Sequence, residues 1–323
     1  MTTSTPSTVA VTTAQDPGAP SRRRPPGDPL AGRAPRVRRL PSPGRALLYL
    51  ALSVGGFLMV APFLWMVLTS FKTLNEVNTF SWLPQGVEWQ NYVDALDAAP
   101  FLTYFRNSLI VVVGQTVPVL VIATAAGYAL AQTPIRGRGT ILNYFIMLLV
   151  VPFQVLIVPL FLVVRHVPLA GGNDVLGMGG TGWVNTWWAL IIPFVSAPLH
   201  VFLARQFFVS LPSDLADAAR MDGVSEIGIF TRIMAPLAAP AFVTIALFNV
   251  ESAWNGFIWP LVVTSSQEIR PLQFGLAAFA QTDPVQWPFL MAMSAVATLP
   301  MILLFVLGQR YFIAGLANSG IKG

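Results

Sequence analysis

Reactive side chains are scarce in this sequence, and the types present exclude several kinds of chemistry. The 323 residues include no cysteine and only two histidines, His166 and His200. Disulfides, thiolate nucleophiles and cysteine-based metal sites are therefore impossible, and a histidine metal cluster lacks ligands. No Gly-x-Ser-x-Gly sequence occurs, and no two carboxylates share the apolar stretches. The sequence therefore predicts neither a membrane enzyme nor a resident cofactor.

Glu251 is the one acid well inside an apolar stretch, and Trp254 and Asn255 follow it. An acid at that depth is costly, which makes Glu251 a candidate functional group. Indole faces stack on sugar rings and amides bond to hydroxyls, so the three residues form a candidate solute contact. Alternatively, Glu251 pairs within the helices and Trp254 belongs to an interfacial aromatic belt. For His200, alone in another apolar stretch, an interhelical hydrogen bond is favoured over a proton relay.

The composition is that of a membrane protein. Hydrophobic residues make up 54% and charged residues 10% of the chain, and the mean hydropathy is +0.65; soluble domains carry about 25% charged residues. We predict an all-α membrane protein with six transmembrane helices, because six apolar stretches can each cross about 30 Å of hydrocarbon. Each contains proline, and they cover residues 46–70, 107–131, 141–164, 187–209, 237–261 and 287–308.

The basic residues are distributed asymmetrically about these stretches. With the N-terminus inside, 15 of the 19 Lys and Arg residues lie on one side. The positive-inside rule then places both termini and the polar stretch 211–236 in the cytoplasm, and no nucleic-acid partner is predicted despite the net charge of +5. Residues 1–44, rich in Pro, Ser, Thr and Arg, are predicted to form a disordered cytoplasmic tail. A transmembrane domain follows at 45–323, and its glycine-rich external loop 165–186 is interpreted as a flexible connector.

The polar stretch 211–236 is predicted to fold as two short helices joined by a turn. Ser213 and Ser225 are candidate N-caps, and Gly223 is a candidate stop between the helices. Each helix has a predicted apolar face: Leu215, Ala218 and Ala219 on the first, and Ile227, Phe230 and Met234 on the second. Such a compact hairpin between membrane spans indicates a rigid knob that docks on a soluble partner.

This hairpin resembles the EAA loop of the permease subunits of ABC importers. The family pattern is Glu-Ala-Ala, three residues, Gly and a later Pro, and the corresponding residues here are Asp217-Ala218-Ala219, Gly223 and Pro236. Aspartate in place of glutamate shortens the acidic side chain by one methylene. Other segments resemble the carbohydrate, maltose-type branch: Ser70-Phe71-Lys72 with Asn91-Tyr92, the Trp254-Asn255 segment as far as Pro260, and the end of the chain from Gln309 to Gly323.

The resemblance implies a six-helix type I permease in a bacterial plasma membrane, bound to separate ABC ATPase subunits. It also implies a second homologous permease, an extracellular or periplasmic sugar-binding protein, and a sugar as substrate. The implied site residues fall into three groups: ATPase docking (Leu215, Asp217, Ala218, Ala219, Asp222, Gly223 and Pro236), C-terminal tail contact (Gly320, Lys322 and Gly323) and solute pathway (Trp254, Asn255 and Glu251). The alternatives are an ABC permease for another small solute and an ion-coupled secondary carrier.

Overall fold

The computed structural model describes residues 43–196, 198–281 and 284–319, with side chains from residue 44 to residue 309. Within these residues the chain is helical and contains no strand. A 3₁₀ turn covers Ile192–Phe194 and a π-helical turn covers Phe230–Met234. In chain order the helices are α1 (Pro43–Ser70), α2 (Leu74–Asn78), α3 (Gln90–Ala98), α4 (Phe101–Gln132), α5 (Arg138–Val150), α6 (Phe153–Arg165), α7 (Trp187–Ile191), α8 (Pro198–Ser210), α9 (Asp214–Met221), α10 (Glu226–Ile229), α11 (Ala235–Leu237), α12 (Ala239–Trp254), α13 (Ile258–Val263), α14 (Leu272–Ala280) and α15 (Trp287–Ser319).

The chain divides into two units, residues 1–55 and residues 56–323. Of the first unit the structure describes the beginning of α1, where the side chains from Leu47 to Val54 are exposed. The predicted tail at 1–44 lies almost entirely outside the described residues. Every site discussed below belongs to the second unit.

The prediction of an all-α membrane protein is confirmed. In the described part of the chain, four helical stretches are long and apolar enough to cross a membrane: Gly44–Ser70, Phe101–Gln132, Trp187–Ser210 and Trp287–Gln309. Two pairs of bent helices also qualify if each pair counts as one span, which gives six.

Three of the predicted spans are not continuous helices, which corrects the sequence prediction. Residues 187–209 include a 3₁₀ turn at Ile192–Phe194 between α7 and α8. Residues 141–164 are divided at Pro152, where α5 and α6 meet with a bend of 104°. Proline has no N–H to donate and its ring clashes with the preceding turn, so a break at this position has a local cause. Residues 237–261 are divided at Asn255–Phe257, between α12 and α13.

Helix α4 contributes to every hydrophobic cluster of the described core. Val119 and Ala123 pack with α8 and the following polar stretch, Phe101 packs with α14 and α15, and Val111 packs with α7 and α13. The contact with α8 is extensive, and a Cβ on Gly127 would stand 2.5 Å from the Cβ of Ala204. Small residues at such a crossing let two membrane helices approach closely. The sites described next are therefore positioned from a shared central helix.

Candidate functional site

The polar stretch between α8 and α12 folds as a helical hairpin, defined here as residues 214–237. Gly223 joins its two arms with a φ of +76°, a left-handed conformation that glycine adopts without steric cost. The Gly223 N–H donates to the Arg220 carbonyl and the Val224 N–H to the Ala219 carbonyl, both at 3.0 Å. These two bonds form a Schellman motif, which ends a helix by satisfying its last carbonyls. The predicted stop at Gly223 is confirmed.

The two predicted N-caps differ in outcome. Ser225 has an extended backbone, and its Oγ accepts a hydrogen bond from the Gly228 N–H at 3.3 Å. Ser213 has helical backbone angles and its side chain makes no capping bond, so that prediction is wrong. The carboxylates of Asp214 and Asp217 lie in the first turn of α9, where negative charge is favoured by the helix dipole.

The buried face of α9 is not the one predicted. Ala216 and Ala219 are buried, with 0% and 6% exposure, whereas Leu215 and Ala218 are exposed. Ala219 was therefore placed correctly, and the other two residues were not. Ala216, Ala218 and Ala219 lie within about one helical turn, so the spacing of small residues alone did not show whether Ala216 or Ala218 is buried. Exposure leaves Leu215 and Ala218 free to contact a partner.

The turn end of the hairpin carries exposed apolar side chains. Met221 is 88% exposed and Ile227 is 77% exposed. Ile227 was predicted to share a face with Phe230 and Met234, but only those two pack into the core. Asp222 lies beside this apolar surface and is also exposed. An exposed apolar patch rimmed by charge is typical of a docking surface.

Arg220 connects both arms of the hairpin to α4. Its Nε donates to Glu226 Oε1 at 2.7 Å, its Nη1 to Asp217 Oδ1 at 2.6 Å, and its Nη2 to the Gln132 carbonyl at 2.8 Å. Tyr128, on α4, donates its hydroxyl to Glu226 Oε2 at 2.8 Å. The hydrogen bond to Glu226 raises the pKa of Arg220 above its ordinary value. We call these five residues the polar clamp, and it gives Asp217 an ionic partner within the hairpin.

Pro236 lies in α11, next to a bend of 79° between Glu226–Leu237 and Ala239–Trp254. In the preceding π-helical turn, Phe230–Met234, the Ala235 N–H reaches the Phe230 carbonyl. Short π-helical insertions are rare and occur frequently at functional sites. The hairpin is thus set at a steep angle to the span that follows it.

The three candidate pathway residues lie at the C-terminal end of α12, where the fifth predicted span is broken, and they differ in exposure. Trp254 is 3% exposed, and its indole N–H donates to the Ala297 carbonyl at 3.1 Å. Its ring packs edge-on against Phe105 at 5.4 Å, so it is not free to stack on a solute. Asn255 and Glu251 are exposed, and the Asn255 amide donates to Glu251 Oε1 at 3.0 Å.

A cavity of about 610 Å³ lies beside this break. Its lining includes the polar residues Gln115, Ser252 and Asn255 and the aromatic residues Phe153, Phe194 and Trp259. The volume falls within the range of small-molecule sites, which combine apolar walls with a few polar groups. Irregular backbone inside a membrane is tolerated where it lines a cavity, which accounts for the non-helical residues here.

Loop 165–186 is a compact hydrogen-bonded structure, contrary to the flexible connector predicted. The Asn173 amide donates to the carbonyls of Arg165 and Val167, at 2.8 and 3.0 Å, and its Oδ1 accepts from the Gly180 N–H at 2.8 Å. Asp174 Oδ1 accepts two further backbone N–H groups. Hydrogen bonds from side chains to the backbone hold the loop in one conformation. The high glycine content of the loop did not indicate these bonds.

Two segments near the first span resemble the carbohydrate branch, Ser70-Phe71-Lys72 and Asn91-Tyr92, and they are joined by hydrogen bonds. The Asn91 amide donates to the carbonyls of Ser70 and Lys72, both at 2.9 Å, and the hydroxyls of Ser70 and Tyr92 are 2.8 Å apart. Glu76 stabilises the same loop, because the backbone N–H groups of Thr73 and then Gln85 hold the pKa of its carboxyl below the ordinary value.

The predictions for His200 and for the C-terminal tail have different outcomes. His200 is 5% exposed, and neither of its ring nitrogens has a hydrogen-bond partner, which contradicts the predicted interhelical bond. The tail-contact residues Gly320, Lys322 and Gly323 lie outside the described residues.

Residues 123–318 match the family described as the binding-protein-dependent transport system inner membrane component. The chain belongs to this family. This permease is 34% identical over 282 residues to the arabinooligosaccharides transport system permease protein AraQ of Halalkalibacterium halodurans, covering 86% of the chain and 96% of that protein. It is 31% identical over 288 residues to the trehalose/maltose transport system permease protein MalG of Thermococcus litoralis, covering 86% and 97%. The diacetylchitobiose uptake system permease protein DasC of Streptomyces coelicolor is 29% identical over 267 residues, covering 82% and 92%.

The fold of the permease also matches a solved structure. A chain in the crystal structure of a bacterial ABC transporter involved in the import of the acidic polysaccharide alginate superimposes with a TM-score of 0.69. It is 23% identical and covers 85% of this permease and 99% of that chain. Together with the family match, this shows a multi-pass membrane permease of an ABC importer, not an enzyme.

Sequence reasoning missed most of the polar clamp. Arg220 and Glu226 carry opposite charges six positions apart across the predicted turn, a signal that was available. Tyr128 and Gln132 lie about ninety positions earlier, and nothing local relates them to the hairpin. Gln115 and Ser252 of the cavity wall were also missed, because the shape of the wall depends on helix packing.

Proposed function

We propose that this permease is one of two membrane subunits of a carbohydrate importer, and that the hairpin docks on an ABC ATPase subunit. Its termini and hairpin face the cytoplasm, and a second homologous permease completes the pathway. A sugar-binding protein delivers the solute from outside. The ATPase subunits hydrolyse ATP, and the hairpin carries their closure to the membrane helices.

The observation that carries this proposal is the geometry of the hairpin. Two short arms are held rigidly by the Schellman turn and the polar clamp, while the apolar side chains of Met221 and Ile227 remain exposed at the turn. Exposed apolar groups that lie together outside the membrane spans mark a surface for a protein partner. The concentration of basic residues on the same side supports a cytoplasmic hairpin.

A carbohydrate is the solute that best fits the relatives and the cavity. The relatives named above carry arabinooligosaccharides, trehalose or maltose, and diacetylchitobiose in their names. The cavity wall combines aromatic rings with amide and hydroxyl groups, the pairing that sugar recognition uses. We retain Asn255 as a solute contact and Glu251 as its positioning partner, and assign Trp254 to packing between helices.

Topology and docking can be tested with single cysteines, because the chain has none of its own. Ala218→Cys is exposed on the hairpin, and Val175→Cys is exposed on loop 165–186. In intact cells a membrane-impermeant maleimide should label Val175→Cys, and should label Ala218→Cys only after lysis. A thiol–amine cross-linker on Ala218→Cys should then capture an ATPase subunit in the assembled importer.

The opposite labelling pattern would reject the orientation, and failure to capture the ATPase would reject docking. Uptake of radiolabelled arabino-, malto- and chito-oligosaccharides should require the ATPase subunits and ATP. Uptake that persists without the ATPase and follows a proton gradient would instead establish a secondary carrier. Uptake of amino acids or polyamines and of no oligosaccharide would reject the solute class.

The C-terminal residues Gly320, Lys322 and Gly323 keep the role that the resemblance implies, a contact with the ATPase. Removing residues 320–323 should weaken ATPase association measured by co-purification. Unchanged association would remove the tail from the docking surface.

A further inference from the structure

We infer that the polar clamp fixes the angle of the hairpin against α4, and that Arg220 is the positioning residue that makes the hairpin move with the membrane helices. This inference rests on the proposed docking role and extends it to Arg220, Tyr128 and Gln132, which lie outside the predicted docking residues.

The hairpin packs its buried apolar residues Ala216, Ala219, Ile229 and Met234 in one cluster with α4 and α8. Such contacts are non-directional, so by themselves they hold the hairpin against these helices without fixing its angle. The chain connects it to α8 through residues 211–213, which are not helical, and to α12 through the bend near Ala238. An attachment away from the line that joins these two ends removes this freedom. Arg220, in the last turn of α9, provides such an attachment through its bond to the Gln132 carbonyl.

The guanidinium is suited to this task by its geometry. Nε and Nη2 face both oxygens of Glu226, at 2.7 and 3.3 Å, and Nη1 and Nη2 reach Asp217 and Gln132. A planar fork with several fixed donors can satisfy three acceptors together, whereas a lysine ammonium cannot reproduce that arrangement. The Gln132 carbonyl is also at the C-terminus of α4, where a cation is favoured by the helix dipole.

Tyr128 supplies a second bond between α4 and the hairpin, on the Glu226 carboxylate that Arg220 also contacts. Its hydroxyl donates to Glu226. The centroid of its ring lies 5.6 Å from the ring centroid of Phe208 and 5.2 Å from that of Phe230. Phe208 is in α8 and Phe230 in the second arm, so α4, α8 and the hairpin meet at one aromatic contact. The amide of Gln132 also donates to the Phe208 carbonyl at 2.6 Å.

The test measures whether the hairpin and α4 move as one body in the assembled importer. Spin labels are placed at Thr231→Cys on the second arm and Val121→Cys on α4, both exposed positions. Their distance is measured by double electron–electron resonance before and after trapping with ATP and vanadate. With Arg220 intact, we expect one narrow distribution that trapping does not change. In Arg220→Gln the distribution broadens and shifts on trapping, while ATP hydrolysis continues.

Two further variants keep the test decisive. Tyr128→Phe removes one hydroxyl and keeps the buried ring, and it should broaden the distribution less than Arg220→Gln. Arg232→Gln removes the same charge from an exposed hairpin position, and it should match the parent protein. Amide exchange in residues 214–221 should be about tenfold faster in Arg220→Gln, which corresponds to about 1.4 kcal/mol.

A distribution in Arg220→Gln as narrow as that of the parent, and unmoved by trapping, would overturn the inference. If the Arg220→Gln protein does not assemble, the distance measurement is made on Tyr128→Phe instead. A distance distribution in Tyr128→Phe that is as narrow as that of the parent, and unmoved by trapping, would then overturn the inference. The proposed function fails on separate grounds, namely the absence of a cross-link between Ala218→Cys and the ATPase.

Discussion

Replacing Gly223 separates the backbone requirement of the hairpin turn from any steric requirement. Gly223 has a φ of +76°, and a Cβ built on it would meet no atom within 4 Å. A side chain therefore has room, and only the torsional preference of the backbone opposes it. We expect stability of the hairpin to fall in the order Gly, Asn, Ala and Val at position 223.

The magnitude follows from the left-handed conformation. An L-residue with a Cβ costs about 1–2 kcal/mol in this region. Asparagine is tolerated better because its side chain bonds locally, and a β-branched residue is tolerated worst. One to two kcal/mol changes an opening equilibrium by a factor of about 5–30. Gly223→Ala should therefore open the turn within that range, and Gly223→Val should exceed it.

Hydrogen exchange of the Gly223 and Val224 amides reports this opening directly, because these two N–H groups form the Schellman bonds. Transport per ATP hydrolysed should fall in the same order, while association with the ATPase is partly kept. Equal exchange in the Ala, Val and parent proteins would show that the turn is not held by its φ. Faster exchange with unchanged transport would show that a rigid turn is not needed for coupling.

Three other changes have distinct expected outcomes. Trp254→Ala should destabilise the purified permease by about 3–5 kcal/mol, because removal of a buried indole leaves a cavity. The loss is measured as a lower melting temperature. Asn255→Ala, at an exposed position, should lower sugar uptake with little change in the melting temperature. Asn173→Ala should speed amide exchange across loop 165–186, because three hydrogen bonds are lost at about 1 kcal/mol each. The order of loop 71–100 should be complete above the ordinary glutamate pKa of about 4.3 and lost as pH falls through the lowered pKa of Glu76. Tryptophan fluorescence of Glu76→Gln should lack this acid transition.

The sequence predicted those features whose physical causes are local. Apolar stretches long enough to span a membrane were found by length and hydropathy, and the hairpin turn was found because glycine permits a positive φ. The presence of a proline did not show whether a span continues or breaks at that position. Pro62, Pro118 and Pro300 lie inside continuous helices, whereas Pro152 begins a new helix after a bend of 104°. Proline supplies the local cause of a break at any of these positions, but a helix also depends on neighbouring groups that satisfy the freed carbonyls, and the sequence does not show those neighbours.

The contacts of the hairpin and of the candidate pathway residues were less predictable than the fold, because they join segments that are distant in the sequence. Trp254 had the residue type of a sugar contact, yet packing against Phe105 and a bond to Ala297 bury it. The exposure of Ala218 rather than Ala216 depends on how α9 lies against its neighbours. Tyr128 was invisible because its partner Glu226 is 98 positions away. In each case the residue type was informative, and the tertiary contact determined its role.

Helix α4 is the physical connection between the hairpin and the cavity. Gln132 accepts the bond from Arg220 at one end, and Gln115 lines the cavity, about 25 Å away at 1.5 Å per residue. Pro118 lies between them inside an unbroken helix. We expect a rigid α4 to carry a tilt of the hairpin to Gln115, whose amide donates to the Leu190 carbonyl of α7 at 2.7 Å. Movement of α4 therefore acts on two walls of the cavity together, provided that the helix does not hinge at Pro118.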